Sequence, residues 1–168
     1  MDATEKTSTL VRSESPSSMD GGWVEALQSI KPVPSDTGRG RVQDAYIDTV
    51  IHEGFNHLAY FSPLNSSSPS VLLTRGQWQV TNTLPAVDEE FNTVYFLAAR
   101  PALGARSLYK VKLNGSNMEP VTKDSEPAYY GVEFSPSARY AILNYDGPDL
   151  PWQSIVLLSP YIGMIEYK

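Results

Sequence analysis

The chain has 168 residues, enough for one ordinary domain with its own core, and 41% of them are apolar, as in a soluble globular protein. A net charge of −6 argues against a nucleic-acid partner, because phosphate binding needs a basic face and the basic cluster here is only Arg39-Gly40-Arg41, read as a solvated loop. The absence of cysteine excludes disulfides, zinc thiolate sites and thiol nucleophiles.

In chain order, the segment Trp23 to Ile30 has some helical character, but Pro32 and Pro34 cut it short. A first round of short strands follows: Ala45 to Ile51, Asn56 to Ser62, and Ser70 to Thr74 running into Gly76-Gln77-Trp78. A second round comprises Gln79 to Leu84, Thr93 to Ala99, Ser107 to Leu113 and Glu119 to Thr122. A third opens with Tyr129 to Ser135, Tyr140 to Tyr145 and Ser154 to Leu158, and its fourth strand would end beyond Lys168. All are aromatic or β-branched and separated by Gly, Pro, Asn and Ser clusters, as strands joined by turns are.

The pattern recurs about every 46 to 48 residues, and the Leu-Thr ending at Thr74 and the Val-Thr ending at Thr122 are 48 apart. A fixed period of that size built from short strands is the signature of β-propeller blades. The expected fold is therefore all-β, a partial propeller of two four-stranded antiparallel blades plus an incomplete third, against the alternatives of a sandwich or open barrel. The expected organisation is a lead-in or remnant of a preceding blade over 1–19, blades over about 20–78, 79–122 and 129–158, and a divergent tail over 159–168. Tyr95, Leu97, Leu108 and Val111 are expected to be buried between blades. The aromatics Trp23, Trp78 and Tyr129-Tyr130, near successive blade starts, are read as packing between neighbours.

Catalytic chemistry finds no footing. The two histidines, His52 and His57, flank one turn, and no G-x-S-x-G nucleophile turn accompanies them. His57 is expected to pack at a strand edge or bond a loop carbonyl. Neither histidine has metal-ligand spacing, Asp88-Glu89-Glu90 reads as a solvated turn, and Asp146-Gly147-Pro148-Asp149 lacks the later ligands of a calcium loop. No catalytic residue, metal or cofactor is assigned. Two sequons, at Asn65 and Asn114, fall in inter-strand turns where a glycan could be accepted, and Asn114-Gly115 reads equally well as a tight turn.

Gly22 to Glu25, Tyr46 to Val50, Phe55 to Pro63, Leu73 to Val80 and Tyr145 to Trp152, in this order, resemble the last propeller blades of the dipeptidyl peptidase IV family, and most closely its fungal dipeptidyl aminopeptidase B type. The resemblance runs from about Asp20 to Ile155. It implies an eight-bladed, non-catalytic propeller stacked on an α/β-hydrolase domain of the same chain, which would supply Ser, Asp and His to release Xaa-Pro or Xaa-Ala dipeptides from peptide amino termini. Neither that triad nor the acidic pair that grips the substrate's amino group maps onto this sequence. Glu25, Leu27 and Gln28 correspond to a stretch bordering the substrate cavity, although the aromatic-plus-arginine arrangement of animal members is absent.

The resemblance implies the secretory pathway, whereas the amino-terminal residues carry no leader pattern and no long apolar run is present. The tail from Leu158 departs from the family, as a truncated gene, a frameshift or a mis-called intron would make it. The expected role is that of a non-catalytic propeller fragment that self-associates when alone; a free-standing interaction module is the alternative, and a complete small enzyme a weaker third reading.

Overall fold

The computed structural model describes residues 8–13, 30–81, 84–102, 104–158 and 163–165. Among the described residues twelve strands build three four-stranded antiparallel sheets, each formed by four strands consecutive in sequence and in space, the layout of propeller blades. The first sheet holds β1 (Lys31–Val33), β2 (Ala45–His52), β3 (Phe55–Phe61) and β4 (Val71–Leu72). The second holds β5 (Ala86–Asp88), β6 (Thr93–Ala98), β7 (Ser107–Lys112) and β8 (Glu119–Pro120). The third holds β9 (Tyr130–Phe134), β10 (Tyr140–Tyr145), β11 (Trp152–Leu157) and β12 (Gly163–Ile165).

Alternation along the strands explains why the sheets stack. In β6, Val94, Phe96 and Ala98 face the first sheet, joining Val33, Ala45, Ile47 and Leu58 in one core. Tyr95 and Leu97 point the other way, meeting Ala141, Leu143, Tyr145 and Val156 of the third sheet. The second sheet is thus apolar on both faces, which is why every residue of β6 is buried. Tyr95, Leu97, Leu108 and Val111 are all buried, as expected. Trp78 packs against the core between the first two sheets and Tyr130 belongs to that between the second and third, so these two aromatics join neighbours, whereas Tyr129, expected to pack likewise, is exposed outside either core.

Several elements differ from the sequence reading. The second sheet opens at Ala86–Asp88; of the strand expected over Gln79 to Leu84, residues 82 and 83 lie outside the described residues, and Val80 makes only a single bridge to Ala98. Pro85 has no N–H to give a ladder, and Ala86 and Val87 supply the two-sided alternation that Thr81 cannot. Val80 and Thr81 instead form a crossover, donating to Asn56 O (2.8 Å) in the first sheet and to Leu97 O (2.9 Å) in the second.

The first sheet opens at Lys31–Val33, a strand hidden in the sequence by Pro32 and Pro34. An edge position tolerates Pro32 because one side of β1 has no strand to bond. The third sheet also carries a fourth strand that the incomplete-blade reading left out: Gly163–Ile165, inside the segment read as tail, pairs with Ile155, Val156 and Leu157 of β11.

Candidate functional site

Glu25, Leu27 and Gln28, the residues expected to border a substrate cavity, lie outside the described residues, as does Trp23. The chemistry-bearing side chains that are described gather at the two ends of the sheets, where the sheets are joined to each other.

At one end lies the crossover between the first and second sheets. His57, on β3, is fully buried. Its Nε2 lies 3.0 Å from Gly76 O, which can only accept, so Nε2 carries the proton. Its Nδ1 lies 3.0 Å from Thr74 Oγ1. That hydroxyl already accepts the N–H of Leu58 at 2.9 Å, which leaves its own hydrogen for Nδ1. The Trp78 ring meets the imidazole edge-on, with centroids 5.0 Å apart. Burial holds the His57 pKa below its ordinary 6.5, and the Gly76 hydrogen bond only partly opposes this. Both nitrogens are committed to the fold, so a neutral His57 locks the Thr74-Arg75-Gly76-Gln77-Trp78 turn and has no nitrogen to spare as a general base. The expectation of a loop-carbonyl bond is met.

Arg100, on the loop after β6, lies over two rings, 5.3 Å from Trp78 and 5.2 Å from Tyr109. Tyr109 donates its hydroxyl to Asp124 at 2.8 Å, and burial, with that carboxylate, pushes its pKa up to about 12. Arg106 lies over Tyr129 in the same way at 4.7 Å. Beside it a shallow recess of about 450 Å³ is lined by Ala105, Pro127, Tyr129 and Pro148.

At the other end, Arg41 is buried rather than solvated. It donates to Pro34 O (2.9 Å), to Glu89 O (2.8 Å) and to Asn92 Oδ1, and so ties the β1–β2 loop to the β5–β6 turn. Asn92 returns a bond to Arg39 O at 2.9 Å, and Arg39 donates to Glu90 O at 3.0 Å. Two arginines can be held this way because the turn aims its carbonyls outward. Asp88 shapes it: its buried Oδ1 accepts the N–H groups of Glu90 (3.0 Å) and Phe91 (3.1 Å). The acidic run is therefore a capped turn rather than a freely solvated one. On its far side Glu90 pairs with Arg139 of the β9–β10 turn at 3.7 Å, across a cleft of about 370 Å³.

The face of the first sheet turned away from the second carries Tyr46 stacked on Phe61, centroids 4.6 Å apart. Arg12 reaches it from residues 8–13, bonding the buried Asp48 at 2.6 Å with its guanidinium 4.8 Å above the Phe61 ring. The two sequon asparagines are exposed on equivalent loops of successive sheets, Asn65 between β3 and β4 and Asn114 between β7 and β8. Among the described residues no three His, Asp or Glu side chains converge as a metal site requires, and no helix is long and apolar enough to cross a membrane.

With three repeated sheets and their joints in place, comparison with known proteins decides the family. The profile of the family described as the dipeptidyl peptidase IV (DPP IV) N-terminal region matches residues 1–152. The chain belongs to that family. It is 47% identical over 156 residues to the probable dipeptidyl-aminopeptidase B of Emericella nidulans, covering 93% of this chain and 17% of that protein. To the probable dipeptidyl-aminopeptidase B of Aspergillus clavatus it is 49% identical over the same length and coverage. The dipeptidyl-aminopeptidase B of Aspergillus niger is 48% identical over 155 residues, 92% of this chain and 17% of its own. The chain thus spans about a sixth of these relatives. Among solved structures, the crystal structure of Porphyromonas gingivalis dipeptidyl peptidase 4 superposes with a TM-score of 0.56 at 19% identity, covering 68% of this chain and 15% of that one. That likeness shows the fold, three blades of a propeller.

Proposed function

We propose that this chain is a structural part of a serine dipeptidyl peptidase: three propeller blades that wall the enzyme's cavity and hold a hydrolase domain, with no catalytic groups of their own. The observation that carries this is the conjunction of the family match over residues 1–152 with a chain that spans 17% of relatives named dipeptidyl-aminopeptidase B. The relatives' names point to release of dipeptides from peptide amino termini by the whole protein, and the Xaa-Pro or Xaa-Ala preference follows from the family resemblance. The commitment of His57 to Thr74 and Gly76 supports a framework role for these blades.

The test is hydrolysis of a chromogenic Xaa-Pro substrate by the purified chain and by the same blades within a protein that also holds the hydrolase domain. The expected result is turnover by the second only. Turnover by the chain alone, retained through purification to homogeneity and blocked by a serine-directed inhibitor, overturns the proposal. A stable lone chain that captures a protein while the hydrolase-bearing form shows no peptidase activity would favour a free-standing interaction module.

A further inference from the structure

We propose that Asn114 is an acceptor for N-linked glycan, with the Ser116 hydroxyl positioning its amide for the transfer. Asn114 Oδ1 accepts two bonds from within its own triplet, from Ser116 N at 3.0 Å and from Ser116 Oγ at 2.7 Å. The Asn-x-Ser motif is therefore folded into an Asx turn in which both bonds fall on Oδ1 and draw electron density towards it, while Asn114 itself is exposed. Such contacts span two residues and depend on the local sequence alone, so a nascent chain can form them before any sheet exists.

The surrounding fold presents the site. The turn is closed by Gly115 N to Lys112 O (2.8 Å) and Lys112 N to Ser116 O (2.9 Å), and Asn114 is exposed at its tip. Gly115 has a φ of +78°, and a Cβ there would lie 3.2 Å from Val71 Cγ1 and 3.3 Å from Leu72 O, so the turn sits against β4 of the first sheet. The glycine side is packed and the asparagine side open. Because β4 and β8 are the last strands of their sheets, an oligosaccharide on Asn114 would project at the outer seam between the first two blades, clear of both cores. Asn65 is equally exposed, but its triplet is organised differently, with Ser66 Oγ donating to Ser68 O at 2.7 Å.

The step balances with a lipid-linked oligosaccharyl diphosphate as donor. The bond from sugar C1 to the phosphate oxygen breaks and its electron pair leaves with the diphosphate, while Nδ2 bonds C1 and loses one proton to the transferase. The proposal is independent of the parent's peptidase activity and requires only that the chain reach a lumen that holds the transferase.

The experiment supplies that delivery: the full chain behind a cleavable secretion signal is translated with microsomes, and mobility is compared before and after endoglycosidase treatment. The expected result is an endoglycosidase-sensitive shift that loses one glycan increment in Asn114→Gln and in Ser116→Ala and keeps it in Ser116→Thr. Identical patterns for wild type and Asn114→Gln overturn the proposal, as does a wild type with no shift. Glycosidase release in heavy-oxygen water, followed by mass measurement of the peptide holding residue 114, assigns the site directly and separates it from Asn65.

Discussion

Leu58 and Thr74 bind each other twice: the Leu58 N–H donates to Thr74 Oγ1 at 2.9 Å, and the Leu58 carbonyl accepts the Thr74 N–H at 3.3 Å. Leu108 and Thr122 repeat the arrangement at 3.1 and 3.3 Å. In both blades the preceding residue, Leu73 or Val121, donates to the same carbonyl, so two residues of the outer segment oppose one of the third strand. That is a bulge, and it bends the chain out of one sheet at the start of its crossover to the next. Replacing Thr74 by Val removes the hydroxyl at nearly constant shape and strands a buried N–H, which costs about 1–3 kcal/mol. Thr74→Val should lower the denaturant midpoint more than Thr122→Val, since it also takes a partner from His57, and Thr74→Ser should restore most of the loss.

Gly76, in the middle of the Thr74 to Trp78 turn, has a φ of +123°, and a Cβ there would lie 2.7 Å from Trp78 Nε1. Gly76→Ala meets both a left-handed backbone and a collision, and the strained backbone alone costs roughly 1–3 kcal/mol. The expected outcome is a lower unfolding midpoint together with altered Trp78 fluorescence. An unchanged emission spectrum and midpoint would contradict the proposed latch.

Acid should loosen this turn in a predictable direction. The folded pKa of His57 is depressed by burial, while the unfolded chain titrates near 6.5. The charges facing the ring are those of the nearby His52 and Glu53, which act in opposite senses. Stability from the neutral imidazole is complete above the unfolded pKa. It is lost as pH falls below about 6.5 towards the folded value, because the unfolded state takes up a proton the folded state resists. Chemical denaturation between pH 8 and 5 should show a fall that is smaller in His57→Gln; equal slopes in the two proteins would remove His57 as its source.

The arginines between sheets should separate sharply. Arg41→Met deprives two backbone carbonyls and Asn92 of a buried donor, so a loss of roughly 2–3 kcal/mol is expected for these charge-assisted bonds. Arg139→Ala removes an exposed pair at 3.7 Å with Glu90, and less than about 1 kcal/mol should follow. Equal effects would mean that the β5–β6 turn is not held as described.

Much of this fold is readable in the sequence because the blades repeat their joints as well as their strands. The 48-residue spacing of Thr74 and Thr122 reports two copies of one bulge, and β2, β3, β6, β7, β10 and β11 follow from short aromatic or β-branched segments bounded by turn residues. What was not readable depends on distant partners. Lys31–Val33 is held as a strand by Ala45 to Ile47, despite Pro32. Arg41 is buried by carbonyls about 50 residues away, and a two-arginine loop gives no local sign of them. The role of His57 as a buried lock is only half legible: its isolation from any nucleophile motif can be seen in the sequence, but not its grip on Thr74 and Gly76.

The last prediction concerns the face of the third sheet turned away from the second. Ile47 of the first sheet and Tyr95 of the second are buried in the core shared with the next sheet, and Ile142, which faces the same way on the third, is exposed. It lies opposite Ile155 across β10 and β11, next to the Tyr140 and Leu157 pair, and the row ends in Asn144 bonded to Gln153 at 2.6 Å. Four apolar side chains in a contiguous block, with nothing over them among the described residues, form a sheet face built for a partner. In a protein with further blades one of these would cover it; for the chain alone, self-association at micromolar concentration is expected. Replacing Ile142 and Ile155 by Lys and Glu places opposite charges across the strands without disturbing the buried face, and should shift sedimentation towards monomer. A chain that is monomeric and unfolds cooperatively before any such change would show that this face needs no cover.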